Sequence, residues 1–171
     1  YYLDEEGIEM MLARGTVLVA TSAAVRNVAA KGVEHGLLED VHRKASEAVG
    51  SHIETFTRAY KAGVKLAMGT DSGVPFTHHG NNLDELGYLV EMGLSPMEAI
   101  QVATLESARL LQLDDRLGSL QAGKVADLVV FDGDPLANIA ELRDHHRFKW
   151  VIKDGEPVVR RDQAGRILEN S

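Results

Sequence analysis

The sequence contains no cysteine, and this absence excludes several kinds of chemistry. A chain without thiols forms no disulfide, no thiolate metal site and no cysteine nucleophile. The side chains that remain as strong candidates for metal chemistry are those of histidine, aspartate, glutamate and lysine. A cysteine-free chain suits a reducing compartment, so a cytoplasmic location is expected.

Positive charge is also scarce. Eighteen lysine and arginine residues stand against 26 aspartate and glutamate residues, which gives a formal net charge of -8. No cluster of basic residues is interleaved with aromatic residues, the pattern that nucleic-acid binding favours. We therefore expect no nucleic-acid partner.

Long apolar runs are missing as well. No stretch reaches the roughly 18 apolar residues that a membrane helix requires, so no membrane partner is expected. Tyr1 is soon followed by the acidic residues 4–6, whereas a signal sequence begins with a basic and then an apolar region. Because the chain also lacks an initiator methionine, we interpret it as a segment of a longer protein and leave an upstream targeting signal open.

What is present is typical of a soluble globular domain, with 171 residues of which 44% are hydrophobic and 26% charged. The first two thirds of the chain alternates helical and strand patterns. We predict a helix over 4–14, a strand over 16–21, a polar connection over 22–39, a helix over about 40–62 and a strand over 64–68. Both strands are almost continuously apolar, as in a sheet covered on both faces. The alternation predicts an α/β fold with a parallel sheet.

Further helices are predicted downstream of the second strand. Asn82 can cap a helix that ends at Gly93. The run Ser95-Pro-Met-Glu98 is a strong helix start, because it combines a capping serine, proline at the first helical position and glutamate three residues after the serine. A last helical stretch is predicted over 107–113.

The pattern changes to short strands from Leu117 onward. The predicted strands lie at 126–131, 150–153 and 156–159. Asp154-Gly155 is a preferred two-residue hairpin turn, and Pro157 places its strand at a sheet edge. We therefore divide the chain into a βα part, residues 1–113, and a β-rich part, residues 114–171.

Asp71 is the leading candidate for chemistry. It follows the second apolar strand and lies between Gly69 and Gly73, at the kind of strand end where α/β proteins place their active sites. A carboxylate in this position can bind a cation and accept a proton from an activated water. On position alone this is weak evidence, because an aspartate after a strand often only caps a turn or a helix.

A series of motifs extends this observation over most of the chain. In order they are Met68-Gly-Thr-Asp-Ser-Gly73, His79-Gly80, Glu85-Leu86, Gly93-Leu-Ser-Pro-Met-Glu-Ala-Ile100, Ala103-Thr104 and Gly118-Ser-Leu-Gln-Ala-Gly-Lys-Val-Ala-Asp-Leu-Val-Val-Phe-Asp132. Together they resemble the C-terminal portion of the amidohydrolase superfamily, in the branch of imidazolonepropionase-like hydrolases and metal-dependent Xaa-Pro dipeptidases.

The resemblance implies a fold and a metal centre. The implied fold would be the C-terminal part of a (β/α)8 TIM barrel, with strands seven and eight in residues 1–113, followed by strands of a small β-sandwich. Asp71 would be a ligand of a divalent metal, most simply zinc as one or two ions, and the general acid/base that carries a proton from the attacking water to the leaving amine. The other ligands, a His-x-His, a lysine or glutamate and two further histidines, would lie upstream of Tyr1.

The implied activity is hydrolysis of an amide or peptide C-N bond in a small molecule or dipeptide, for which this segment alone would be inactive. The rival interpretation is a non-catalytic scaffold or assembly protein of the same fold, since fold does not dictate function. A third is an independently folded binding module. A homo-oligomer is left open.

Several other residues are weaker candidates. His79, and less so His78, follow Asp71 closely enough to contact a substrate, and a solvated loop is the alternative for both. Tyr1 and Tyr2 could line the site or only pack. The cationic and amide side chains of a predicted loop could hold a substrate carboxylate; these are Arg26, Asn27 and Lys31.

The remaining histidines are not expected to bind metal. His42 and His52 lie ten residues apart on one predicted helix, which does not give the spacing of three or four that a helical site uses. His35 lies outside that helix, and His145 and His146 are expected at the surface of the β-rich part.

Overall fold

The computed structural model describes residues 3–162 and 164–168. Two compact units are present, Tyr1–Ser95 and Pro96–Ser171. The first carries a parallel strand pair among helices, and the second carries helical turns and a small antiparallel sheet. No helix in the described part of the chain is both long and apolar enough to cross a membrane. The boundary near residue 113 stays a prediction.

The first unit begins with helix α1 (Glu5–Arg14). The Asp4 side chain caps its N-terminus by accepting a hydrogen bond from the Gly7 amide at 2.9 Å, as is usual for an N-cap aspartate. Gly15 ends the helix in the left-handed conformation, with φ 64°, which glycine adopts without steric cost. The predicted helix is confirmed to within one residue.

Strands β1 (Leu18–Ala20) and β2 (Leu66–Met68) pair in parallel, as predicted. Leu66 and Ala67 of β2 are buried, which agrees with the expected cover on both faces. In β1 the expectation fails in part, because Val19 is 38% exposed.

The segment between these strands differs most from the prediction. Residues 22–31 form a helix, α2 (Ser22–Lys31), rather than a polar connection. A 3-10 turn (Val33–His35) and the long helix α3 (Glu39–Lys61) follow. The predicted connection is therefore wrong over its first ten residues, where four alanines favour a helix. Helix α3 itself is confirmed.

Helix α4 (Asp84–Glu91) closes the first unit. Its buried face carries Leu86 and Leu89, as predicted. The predicted cap is wrong, because Leu83 holds the cap position and no side chain caps the helix there. Asn82 instead contributes its main-chain carbonyl to a turn, accepting from the Glu85 amide at 3.2 Å.

The second unit starts with three consecutive helical segments. They are α5 (Pro96–Gln101), a π-helical turn (Val102–Glu106) and α6 (Ser107–Leu110). The Ser107 hydroxyl donates to the Val102 carbonyl at 2.7 Å. The helix ends before the predicted residue 113, because Gln112 adopts a left-handed conformation with φ 58°.

Three antiparallel strands follow in the order β3 (Leu128–Phe131), β4 (Phe148–Lys153) and β5 (Glu156–Arg160). Two 3-10 turns, Ile139–Arg143 and His145–Arg147, lie between β3 and β4. The predicted hairpin is confirmed, with Asp154 and Gly155 at φ 53° and 81°, the positive values that such a turn requires. Pro157 lies on β5, an edge strand of this sheet.

Candidate active site

Asp71 lies just beyond the carboxyl end of β2. The Gly69 amide donates to the Ala20 carbonyl at 2.8 Å, which extends the contact with β1 past the strand. A side chain at position 69 would place its Cβ 2.8 Å from Val19 Cγ1, so glycine permits this close approach. The Asp71 side chain is exposed, and within the described residues its carboxylate has no hydrogen-bond or ion-pair partner.

The segment 70–77, here named the Asp71 loop, is closed by hydrogen bonds within itself. The Gly73 amide donates to the Thr77 carbonyl at 2.9 Å, and the Thr77 amide donates to the Val74 carbonyl at 3.1 Å. The hydroxyls of Thr70 and Ser72 lie 2.9 Å apart. The loop is therefore a compact turn with the candidate carboxylate near its start.

Two non-glycine residues of the Asp71 loop have a left-handed backbone conformation. Asp71 has φ 54° and Phe76 has φ 65°. Aspartate tolerates this region, whereas a bulky aromatic residue rarely adopts it. Such strain persists where surrounding contacts impose it, and it is common at functional sites.

Helix α2 borders the Asp71 loop. The Asn27 side-chain amide donates to the Phe76 carbonyl at 3.2 Å and contacts the Thr77 hydroxyl at 3.3 Å. Lys31 lies with its ammonium 5.5 Å from the centre of the Phe76 ring. The ring of His35 meets the same phenylalanine edge-on at 5.7 Å.

The N-terminus of α2 is held by a buried carboxylate. Glu85 is fully buried and accepts hydrogen bonds from the Ser22 and Ala23 amides, both at 2.8 Å. These amides are among the first of the helix, which have no partner within it and lie at its positive end. Burial raises the pKa of the Glu85 carboxyl, and the bonds to Ser22 and Ala23 oppose that shift.

His52 completes this buried network. Its Nε2 lies 3.0 Å from the Ser22 hydroxyl, and its ring packs on Phe56 with 4.5 Å between ring centres. Burial, and then the charge of Arg26, lower the pKa of His52 to about 4. The imidazole is therefore neutral near pH 7.

The cationic candidates are placed on helix α2 rather than in a loop, so their predicted location is wrong. Arg26 forms an ion pair with Glu91 at 2.7 Å and stacks over the Tyr88 ring at 4.2 Å. Asn27 is engaged with the Asp71 loop, as described above. Lys31 is exposed, and its role as a substrate contact stays a prediction.

The histidines are dispersed. His78 and His79 are exposed in the segment after the Asp71 loop, and no hydrogen bond or ring contact within the described residues joins them to Asp71. His35 Nδ1 lies 2.8 Å from the Lys31 carbonyl, and His42 Nε2 lies 3.0 Å from the Ala29 carbonyl. His145 and His146 are exposed.

Asp71 has no companion ligands in the described part of the chain, where no group of three or more histidine, aspartate or glutamate side chains could hold a metal ion. Tyr1 and Tyr2, the other candidates near the site, lie outside the described residues. The arrangement thus offers one carboxylate for a cation.

Sequence reasoning gave no structural role to Glu85 and did not find the contact between His52 and Ser22. A signal existed for Glu85, which precedes Leu89 by four residues and so shares the apolar face of its helix. A charged residue on such a face needs partners when it is buried. Those partners lie 62 and 63 residues away in sequence, so the local sequence pattern did not identify them.

Known proteins resemble most of this chain. The model of the Amidohydrolase family matches residues 1–158. Ochratoxinase from Aspergillus niger is 32% identical over 91% of the chain, and imidazolonepropionase from Geobacillus sp. (strain WCH70) is 31% identical over 88% of it. These matches cover 32% and 34% of the two relatives, so the chain spans about a third of their length.

Solved structures agree with the sequence matches. The crystal structure of an Xaa-Pro dipeptidase with bound methionine in its active site superposes with a TM-score of 0.80 at 41% identity. That superposition covers 90% of this chain and 37% of the dipeptidase chain.

Proposed function

Because the chain belongs to the amidohydrolase family, we propose that the whole protein hydrolyses an amide or peptide C-N bond of a small substrate, with Asp71 in its active site. The observation that supports this most is the placement of Asp71. Its exposed carboxylate has no partner within the described residues and lies at the carboxyl end of a parallel strand, where barrel enzymes carry their catalytic groups.

The proposed architecture follows from the same membership. Strands β1 and β2 would be the seventh and eighth strands of a (β/α)8 barrel, with residues 1–113 in the barrel part. Residues 114–171 would contribute strands to a small β-sandwich. The parallel pairing of β1 with β2, joined through helices α2 and α3, supports this assignment.

A divalent metal, most simply zinc as one or two ions, fits the chemistry of the Asp71 carboxylate. When bound, such an ion lowers the pKa of a coordinated water and polarises the carbonyl of the substrate. Asp71 would hold the ion through its carboxylate. Its carboxylate would also accept the proton of the attacking water and deliver it to the leaving amine.

The proposed substrate is a dipeptide or another small amide. Support comes from the similarity to the Xaa-Pro dipeptidase structure. We assign His79 as a substrate contact because it is exposed just after the Asp71 loop. A cytoplasmic location is proposed from the absence of cysteine, and the oligomeric state stays open.

Asp71→Asn in the full-length protein tests this function. The amide keeps the size of the side chain and removes the proton acceptor, so hydrolysis of a dipeptide and N-acyl amino acid library should fall by about 10²-fold or more. Metal content should be measured in parallel. Asp115→Asn is the matched control, because that aspartate is exposed in the second unit.

Unchanged hydrolysis in Asp71→Asn would overturn the assignment. A parent protein that binds no metal and hydrolyses nothing in the library would instead favour the non-catalytic scaffold.

A further inference from the structure

The Asp71 loop is joined to the rest of the first unit by a side chain that the proposed chemistry does not use. Asn27 of helix α2 donates to the Phe76 carbonyl at 3.2 Å and lies 3.3 Å from the Thr77 hydroxyl. Within the described residues these are the hydrogen bonds that link the loop with α2. Thr77 is itself buried, with 3% exposure.

The bond to Phe76 falls on the most strained residue of the loop. Phe76 has φ 65°, a conformation that a bulky residue adopts only when its surroundings impose it. The side-chain amide of Asn27 donates a hydrogen bond directly to the carbonyl of this residue. Removing that donor would let Phe76 relax toward negative φ.

A change at Phe76 and Thr77 is transmitted to Asp71 through the main chain. The Thr77 carbonyl accepts from the Gly73 amide at 2.9 Å, and the Asp71 carbonyl accepts from the Val74 amide at 3.4 Å. These main-chain hydrogen bonds connect the Phe76 end of the loop with Asp71.

Helix α2 is a rigid support for this contact. Its first amides are capped by the buried Glu85 carboxylate, and its Ser22 hydroxyl contacts the buried His52. An asparagine presented from such a helix has few alternative positions, which suits a supporting residue of a functional site.

From this geometry we propose that Asn27 is a positioning residue, which holds the Asp71 loop in its strained conformation and so fixes the orientation of the Asp71 carboxylate. The assignment rests on the proposed catalytic role of Asp71. Asn27 acts through the loop and does not itself contact the substrate.

The test uses the full-length protein with Asn27→Ala, and Asn82→Ala as the matched control, since Asn82 is exposed and makes only a main-chain hydrogen bond. Misplacing a catalytic group by about 1 Å can lower the rate about 10²-fold. We expect kcat to fall at least about tenfold in Asn27→Ala while KM stays close to that of the control. Hydrogen exchange should become faster in residues 70–77 and stay unchanged in α3.

A double variant separates positioning from general stability. Glycine adopts positive φ without strain, so Phe76→Gly should restore part of the lost kcat when it is added to Asn27→Ala. If Asn27 had only a structural role, Phe76→Gly would not restore kcat, because a second cavity would lower activity and stability further. If Asn27→Ala does not fold, Asn27→Asp has the same size without the N–H donor and is judged by the same criteria.

The proposal is overturned if kcat of Asn27→Ala equals that of the control, or if exchange rises across the whole first unit without rescue by Phe76→Gly. Asp71→Asn, measured beside these variants, separates the two hypotheses. Full activity in Asp71→Asn removes the proposed catalytic role of Asp71 and the positioning role with it. An inactive Asp71→Asn together with an unaffected Asn27→Ala removes the positioning role alone.

Discussion

Glu85 is a buried acid whose carboxylate accepts hydrogen bonds from main-chain amides. Each of its carboxylate oxygens accepts one amide of the first turn of α2 at 2.8 Å. Charge-assisted bonds of this kind are about twice as strong as neutral ones, and the positive end of the helix dipole adds to them. Glu85 thereby joins α4 to α2 through these main-chain hydrogen bonds.

We expect Glu85→Ala to destabilise the full-length protein by on the order of 3 kcal/mol, because two buried amides lose their acceptor and each such loss costs about 1–3 kcal/mol. Urea denaturation measures the free energy of unfolding. Glu54→Ala is the control, since Glu54 is exposed on α3 and alanine preserves the helix. Equal midpoints for the two variants would show that Glu85 does not cap α2.

His52 makes stability depend on pH. Its pKa is lowered from 6.5 to about 4 in the folded state, by burial first. The unfolded chain therefore binds the proton more readily, so the contribution of the neutral histidine is present above pH 6.5 and is lost as pH falls toward 4.

Between pH 7 and pH 5 the parent protein should lose about 2 kcal/mol of stability through His52. His52→Gln cannot titrate and should lack that part of the loss. Denaturation of the metal-free full-length proteins at both pH values measures the difference, in which the other titrating groups, Glu85 included, cancel to first order. Parallel pH dependences in the two proteins would contradict the assignment.

At the level of elements, the main chain at Gly118 packs closely against the helical residues Leu105 and Ala108 of the second unit. A Cβ at Gly118 would lie 2.8 Å from Ala108 Cβ and 2.9 Å from Leu105 Cα. Gly118 also has φ 85°, which disfavours any L side chain. Gly123 has a similar φ of 91° and open space around it, so the two positions separate strain from overlap.

Gly123→Ala should therefore cost about 1 kcal/mol from backbone strain alone. Gly118→Ala should cost about 1–3 kcal/mol more, since added atoms in packed surroundings force shifts of this size. Thermal or urea unfolding of the two full-length variants gives the comparison. Similar destabilisation by both substitutions would mean that the helix at Leu105 yields to the added methyl group.

Elements with local signals were predictable, and those that depend on distant contacts were not. Helix α1 carries its own cap and stop in Asp4 and Gly15, and the hairpin carries Asp154-Gly155. Helix α2 has no side-chain cap from its own neighbourhood. Its cap comes from Glu85, 62 and 63 residues away, so no window of sequence around residue 22 contains the signal that starts the helix.

At the scale of the whole molecule, the position of Asp71 was predictable because a strand, two glycines and an aspartate are neighbours in sequence. The remainder of a metal site was not, since the described residues contain no group of three candidate ligands. Two strands also make an incomplete parallel sheet, which presents unpaired edges.

We therefore expect residues 1–171, expressed alone, to show no hydrolysis of substrates that the full-length protein cleaves. The physical reasons are the single candidate ligand and the open strand edges. Activity assays and metal analysis of the two proteins at equal concentration make the comparison. Hydrolysis by the 171-residue chain at the rate of the full-length protein would contradict it.

The capping of α2 by Glu85 also sets an order in which the contacts of the first unit can form during folding. Contacts between residues far apart in sequence form late, because a long loop must close first. During synthesis at about 5–20 residues per second, residue 85 follows residue 22 by roughly 3–13 s. Throughout that interval the Ser22 and Ala23 amides have no Glu85 carboxylate to bind. The N-terminus of helix α2 is therefore capped only after α4 has been synthesised and has packed against it. The support of the Asp71 loop by α2 is completed at the same point.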